Sequence, residues 1–273
     1  MPHDIKLILT DIDGTIMPAG QRVINERCRS AFHAAMDAGM RVGPASGRGI
    51  AHVRPLFRDD DMCVLTAIAT NGMQVYLDGE LIHETTLDLG ELAKVEAVVR
   101  DTPGAGLLYF DGSTPCLVVG TADDLRRSFP AYADIAREVG HLPERAPVKV
   151  NPFCAVDREE TQRLFDRLSR EVPGLGFNLP MPGFVNIVPV GWSKASAVDL
   201  LCERMGITIE QACVFGDSGN DLEMLAHVPC SVAVAGATPE AASAAHYHIG
   251  RCEDDAVPEA IERLAAGEFP FAS

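Results

Sequence analysis

Short apolar runs alternate with helix-length amphipathic stretches at both ends of this 273-residue chain. Only a parallel sheet with helices on its faces accommodates that rhythm, because its strands are buried on both sides and read as continuous apolar segments. Lys6 to Thr10 reads as such a strand, and a helical pattern follows from Asn25 to Ala38, closed by Gly39. Cys63 to Ala69 reads as a second buried strand. Later come a helix from Ser193 to Met205 closed by Gly206, strands at Ala212–Phe215 and Ser231–Ala235, and a last helix from Val257 to Ala266.

Between these ends the rhythm breaks. Gln74 to His83 looks like a hairpin around Asp78-Gly79, residues 85–100 and 157–171 like amphipathic helices, and Gly106 to Val119 like strands. The expected organisation is an α/β, Rossmann-like parallel core formed by 1–81 and 188–273, with an inserted α+β domain at 82–187. A length near 270, at roughly 150 residues per domain, fits one large domain or two modest ones.

Open α/β sheets place ligands at the carboxyl ends of their strands. Four polar clusters fall at such ends or at the helix starts that follow. Asp11-Ile12-Asp13-Gly14-Thr15 leaves the first strand. Two carboxylates so close repel each other unless a cation intervenes, and a hard divalent ion such as Mg²⁺ prefers oxygen donors. One Asp can then attack phosphorus while the other handles a proton, although an Asp-rich turn that only caps a helix has the same composition. Gly216-Asp217-Ser218-Gly219-Asn220-Asp221 is a second acidic loop, whose Ser218, Asn220 and Asp221 also suit a helix cap. Asp217 comes straight off the strand, where a metal ligand is held most rigidly. Lys194 starts a helix, a place where the dipole disfavours cations, so it has either a separate task or a solvent-directed side chain. Ser46, between Ala45 and Gly47, is a phosphate-binding hydroxyl or a simple turn serine. Together the clusters supply what phosphoryl transfer requires: a nucleophile, metal ligands, donors for the phosphoryl oxygens and a proton donor.

The balance of 23 basic against 39 acidic residues, net −16, argues against nucleic acid or an anionic membrane as the main partner. A small phosphorylated metabolite remains compatible, since one local cation overrides a diffuse field. No apolar run reaches the ~18 residues of a membrane span, and the N-terminus lacks the basic region and cleavage site of a signal peptide. The cytoplasm is the expected location. None of the eight cysteines is spaced C-x-x-C, and most lie in apolar runs, which reads as buried reduced thiols. His52, His83, His141, His227, His246 and His248 have no metal-binding spacing. Arg126, Arg127 and Arg145 can meet a second anionic group or form a solvated face.

In their order and surroundings these motifs resemble the haloacid dehalogenase superfamily of phosphatases, most closely its Cof-type subfamily with a type II cap. Asp11 to Thr15 is similar to the first motif, Ser46 in Ala45-Ser46-Gly47-Arg48 to the second, Lys194 to the third, and Gly216 to Asp221 to the fourth. Asn71-Gly72 fits the subfamily as well. The resemblance implies that Asp11 is a nucleophile forming an aspartyl-phosphate, and that Asp13 is the general acid and base. It implies Mg²⁺ held by the Asp11 and Asp217 side chains and the Asp13 carbonyl. Ser46 and Lys194, with backbone N–H groups near Asp13 and Gly47, would hold the phosphoryl oxygens, Asn220 would sit close to the phosphate, and Asp221 would orient Lys194 or metal-bound water. The insertion would close over the substrate and set specificity; no motif in it matches residue by residue. The expected activity is hydrolysis of a small phosphomonoester such as a sugar phosphate. A phosphomutase using a sugar acceptor, or a non-enzymatic phosphate sensor, are the alternatives on the same fold.

Overall fold

The computed structural model describes residues 4–154 and 158–271. In chain order the first strands are β1 (Leu7–Thr10), β2 (Arg41–Pro44), β3 (Ala67–Ala69), β4 (Gln74–Leu77) and β5 (Glu80–Glu84). Then come β6 (Ala105–Asp111), β7 (Thr114–Val119), β8 (Arg137–Glu138), β9 (Val150–Cys154), β10 (Leu175–Met181) and β11 (Phe184–Pro189). The chain ends with β12 (Ala212–Gly216), β13 (Cys230–Ala235) and β14 (Tyr247–Arg251). Two compact units divide between His83 and Glu84 and again between Trp192 and Ser193.

The first unit holds a five-stranded parallel sheet in the order β14-β13-β12-β1-β2. Alternate side chains serve opposite faces. Ile8, Cys213, Phe215, Val232 and Val234 pack with Phe32 of the helix Glu26–Asp37 and Ile261 of the helix Ala256–Ala265. Leu7, Leu9, Ala212 and Val214 pack with Val198 and Leu201 of the helix Lys194–Met205. This double burial explains why β1, β12 and β13 read as unbroken apolar runs. Asn25 caps the helix Glu26–Asp37 by accepting from Cys28 N, and Gly206, with φ 65°, ends the helix Lys194–Met205 in the left-handed region.

The strand expected over Cys63–Ala69 is a correction. Asp61–Val64 forms a 3₁₀ turn, with Cys63 N donating to Asp60 O, and strand geometry begins only at Ala67. β3 then pairs antiparallel with β4, while a single parallel bridge, Ala45 to Ile68, ties it to the end of β2. The turn Asp78-Gly79, both residues at positive φ, closes the β4–β5 hairpin as its sequence demands.

The second unit is a six-stranded sheet, β10-β11-β9-β6-β7-β8, antiparallel except between β7 and β8. The helix read over 85–100 begins at Leu89, because Asp88 accepts from Glu91 N as its N-cap. The helix read from 157 is described from Arg158 to Glu171; residue 157 lies outside the described residues. Leu108, Leu117, Phe153, Phe184 and Tyr132 form the apolar cluster of one face. Phe153 lies over Gly106, where a Cβ would sit 2.1 Å from the ring.

Candidate active site

Adjacent strands β12, β1 and β2 end at one edge of the parallel sheet, and the chain leaves each in a loop that carries expected site residues. Asp11 follows β1, Ser46 lies two residues beyond β2, and Asp217 follows β12. Backbone bonds lock the loops together: Asp11 N donates to Phe215 O at 2.9 Å and Ala45 N to Thr10 O at 2.8 Å. The polar clusters, scattered over more than 200 positions of sequence, thus share one sheet edge.

Lys194 is buried at the start of its helix, and its ammonium sits between two carboxylates. Nζ donates to Asp11 Oδ1 at 2.7 Å and to Asp221 Oδ1 at 2.6 Å. Burial pushes the lysine down, but Asp11 and Asp221 outweigh it and hold its pKa above the ordinary value. The solvent-directed lysine is thereby excluded. Asp221 is itself saturated, since Oδ2 accepts from Asp217 N and Ser218 N, both at 3.1 Å. It therefore braces Lys194 and the 217–221 loop at once.

Asp217 Oδ1 accepts from Thr15 Oγ1 at 3.0 Å. Its Oδ2 faces Gly14, where an added Cβ would lie 2.6 Å away, at a backbone φ of +85°. Burial pushes the Asp217 carboxyl up to about 6, with the charges of Asp221 and Asp13 adding to the rise. Burial likewise raises Asp11, against the pull of Lys194. Asp11, Asp217 and Asp221 offer oxygens within 4.8 Å of one another. Three clustered carboxylates share one ammonium, and the glycine keeps the space beside Asp217 Oδ2 clear. An all-oxygen set with excess negative charge fits a hard divalent cation such as Mg²⁺.

Asp13 is half exposed and gripped by Arg48, whose Nε and Nη2 donate to the two carboxylate oxygens at 2.8 Å each. Ser46 is buried; its Oγ accepts from Arg48 N at 3.2 Å, and its backbone N donates to Ile68 O. Asn220 is buried and donates through Nδ2 to Asn71 Oδ1 at 3.1 Å. Asn71 adopts φ 56° and lies 3.1 Å from where a Gly47 Cβ would be, so Gly47 is small because Asn71 is near. Arg48, Asn71 and Thr15 are site neighbours that sequence reasoning left without a role. Their signal was their place in the same short runs as Asp13, Ser46 and Gly72. Arg126 pairs with Asp123 and Asp134, and Arg127 with Asp124, on exposed faces, as a solvated helix does.

A parallel α/β sheet with a buried lysine and clustered aspartates at the ends of neighbouring strands defines the class as a phosphate-handling α/β enzyme. The sequence profile of the haloacid dehalogenase-like hydrolase family matches residues 8–261. A phosphoglycolate phosphatase of Pyrobaculum aerophilum is 27% identical over 264 residues, covering 96% of this chain and 96% of that protein. An HMP-PP phosphatase of Enterobacter sp. strain 638 is 25% identical over 259 residues, covering 92% and 93%. The solved structure of SMU.1108c from Streptococcus mutans UA159 superposes with a TM-score of 0.85 at 22% identity, covering 96% of this chain and 99% of that one. The chain belongs to the haloacid dehalogenase-like hydrolase family and is an enzyme of its phosphatase class. Among the described residues no helix is long and apolar enough to cross a membrane.

Proposed function

We propose that this phosphatase hydrolyses a small phosphomonoester through an aspartyl-phosphate on Asp11. The observation that carries the reading is the buried Lys194, paired with Asp11 at 2.7 Å and braced by Asp221. A lysine taken out of water to that degree is costly unless its charge is used. Here it holds the nucleophile's carboxylate in place and offers a fixed positive charge to incoming phosphate. Phosphatase relatives whose names specify phosphoglycolate and HMP-PP support a small phosphorylated substrate.

In the first step an Asp11 carboxylate oxygen attacks phosphorus, the bond to the leaving oxygen breaks, and Asp13 gives that oxygen a proton. In the second, water attacks the aspartyl-phosphate, Asp13 takes the proton, and inorganic phosphate leaves with Asp11 restored. Lys194, the Ser46 hydroxyl, Asn220 and the Gly47 backbone hold the phosphoryl oxygens. Asp11 and Asp217 with the Asp13 carbonyl would hold Mg²⁺, which would supply charge neutralisation at the phosphoryl group. The inserted unit, Glu84–Trp192, carries the choice of leaving group.

The test is Asp11→Asn in a phosphate-ester screen with Mg²⁺ present and then chelated. Turnover falls at least about 10³-fold in the variant, in keeping with losses seen when a catalytic nucleophile is removed, while its far-UV circular dichroism is unchanged. Acid-quenched wild type carries labelled phosphate that the variant lacks. Substantial Mg²⁺-dependent hydrolysis by Asp11→Asn overturns the reading.

A further inference from the structure

Away from the sheet edge, three chemically different donors converge on one point of the first unit. His33, on the helix Glu26–Asp37, places Nε2 2.7 Å from Asp60 Oδ2. Cys63, in the 3₁₀ turn Asp61–Val64, completes a group whose ligand atoms all lie within 4.8 Å of one another. No spacing motif announces it: 27 and then 3 residues separate the donors, and only the fold joins them.

The chain is bent to make this meeting. Arg58 and Asp59, neither a glycine, both adopt the left-handed region at φ 57° and 58°. Non-glycine residues in that region are strained and persist only where the surrounding structure holds them. Asp60 follows at once and turns its carboxylate onto His33 and Cys63. Cys63 is fully buried, whereas the His33 side chain is 43% and that of Asp60 22% exposed, so the group has a wet side and a dry side. Burial and the neighbouring Asp60 carboxylate push the Cys63 thiol up to about 12, with Arg29 pulling weakly the other way, so without a cation the sulfur keeps its proton.

We propose that His33 Nε2, Asp60 Oδ2 and Cys63 Sγ form a second cation site, chemically distinct from the aspartate cluster, for a borderline divalent ion of the zinc type. Imidazole and thiolate are poor ligands for Mg²⁺ and good ones for zinc-class ions, and three protein donors leave a fourth tetrahedral position open to water. Charge balances within the site, since one carboxylate and one thiolate meet one dication. On binding, the Cys63 S–H bond breaks and its proton passes to solvent. His33 ligates as a neutral imidazole, and its hydrogen bond to Asp60 is exchanged for two metal bonds. A bound ion would tie the helix Glu26–Asp37 to the 58–64 segment.

The test is a Co²⁺ titration of the full chain in saturating Mg²⁺, which keeps the aspartate cluster occupied. One equivalent of Co²⁺ produces a thiolate-to-cobalt charge-transfer band in the near ultraviolet, and Zn²⁺ bleaches it. Cys63→Ser removes the band, and His33→Gln, a substitution at a half-exposed position, weakens Co²⁺ binding at least about tenfold. Asp11→Asn leaves the titration unchanged, and both site variants retain Mg²⁺-dependent phosphatase turnover. Absence of the band in the wild type, its persistence in Cys63→Ser, or an unaltered affinity in His33→Gln overturns the proposal.

Discussion

Lys194 shows what a single residue does when its surroundings are known. Its ammonium is the shared counter-ion of two buried carboxylates, so removing it strands both. Lys194→Met is expected to destabilise the chain by about 3–5 kcal/mol, the range for breaking a buried pair from one side. Asp221→Asn, which keeps the lysine and a hydrogen-bonding side chain, is expected to cost less. Urea unfolding of the two variants checks the order, and equal losses contradict the shared-counter-ion account. The sequence made Asp11 and Asp217 conspicuous as charges at the ends of apolar strands, and Lys194 as a cation at a helix start. It left the burial of Lys194 open between two readings, since exposure depends on elements far apart in the chain. Arg48 stayed unread for the same reason. Its partner Asp13 lies 35 positions away, and no periodicity links them.

Two elements have sharp local requirements. In β2, a Cβ on Gly43 would lie 1.6 Å from the carbonyl oxygen of Thr66, a backbone atom that cannot swing aside. Gly43→Ala therefore drives β2 from the segment preceding β3 and is expected to cost about 3 kcal/mol, at the upper end for overpacking. Because Ser46 follows β2 directly, turnover should fall with stability, and a chemical melt beside a kinetic assay reads both. In the second unit the helix Ala122–Ser128 starts with a reciprocal capping box between Thr121 and Asp124. The Thr121 hydroxyl, with Arg127 assisting against burial, holds the Asp124 carboxyl below the usual range. A lowered folded value means stabilisation that is present above the ordinary carboxylate pKa and lost as pH falls through the lowered one. Thr121→Val should thus cost about 1 kcal/mol at neutral pH and progressively less below about pH 4; a constant cost across that range refutes it. Strands buried on both faces were legible in the sequence, whereas the Thr121 capping box and the close approach at Gly43 were not read from it. β2, with Gly43 and Pro44, and the half-exposed edge strand β14 were not, because neither has a continuous apolar run. Cys63 and Val64 misled in the other direction: they are apolar because a turn buries them, not because a strand does.

At the scale of the molecule, the net charge of −16 acquires a local meaning. Alternation at the chain ends identified the parallel sheet, and the break in it is the reason an insertion was expected. The antiparallel strands β9, β10 and β11 went unread because Asn and Pro interrupt them and no strand-end motif marks them. Acidity spread over a surface responds to any salt through screening, whereas acidity gathered at Asp11 and Asp217 would, on the proposed reading, respond to a particular ion. The two are separable by heat. A ligand bound only by the folded state, at a hundred times its dissociation constant, adds about 2.7 kcal/mol. For a chain this long that is a rise in melting temperature of roughly 5–10 °C. Mg²⁺ is expected to raise the melting temperature by that much over K⁺ at equal ionic strength. Asp217→Asn, which removes one carboxylate charge of the thirty-nine acidic residues, should abolish the difference while leaving the response to K⁺ intact. If charge repulsion across the whole surface governed the effect, one neutralised carboxylate would change it by only a few per cent, and the variant would still answer to Mg²⁺.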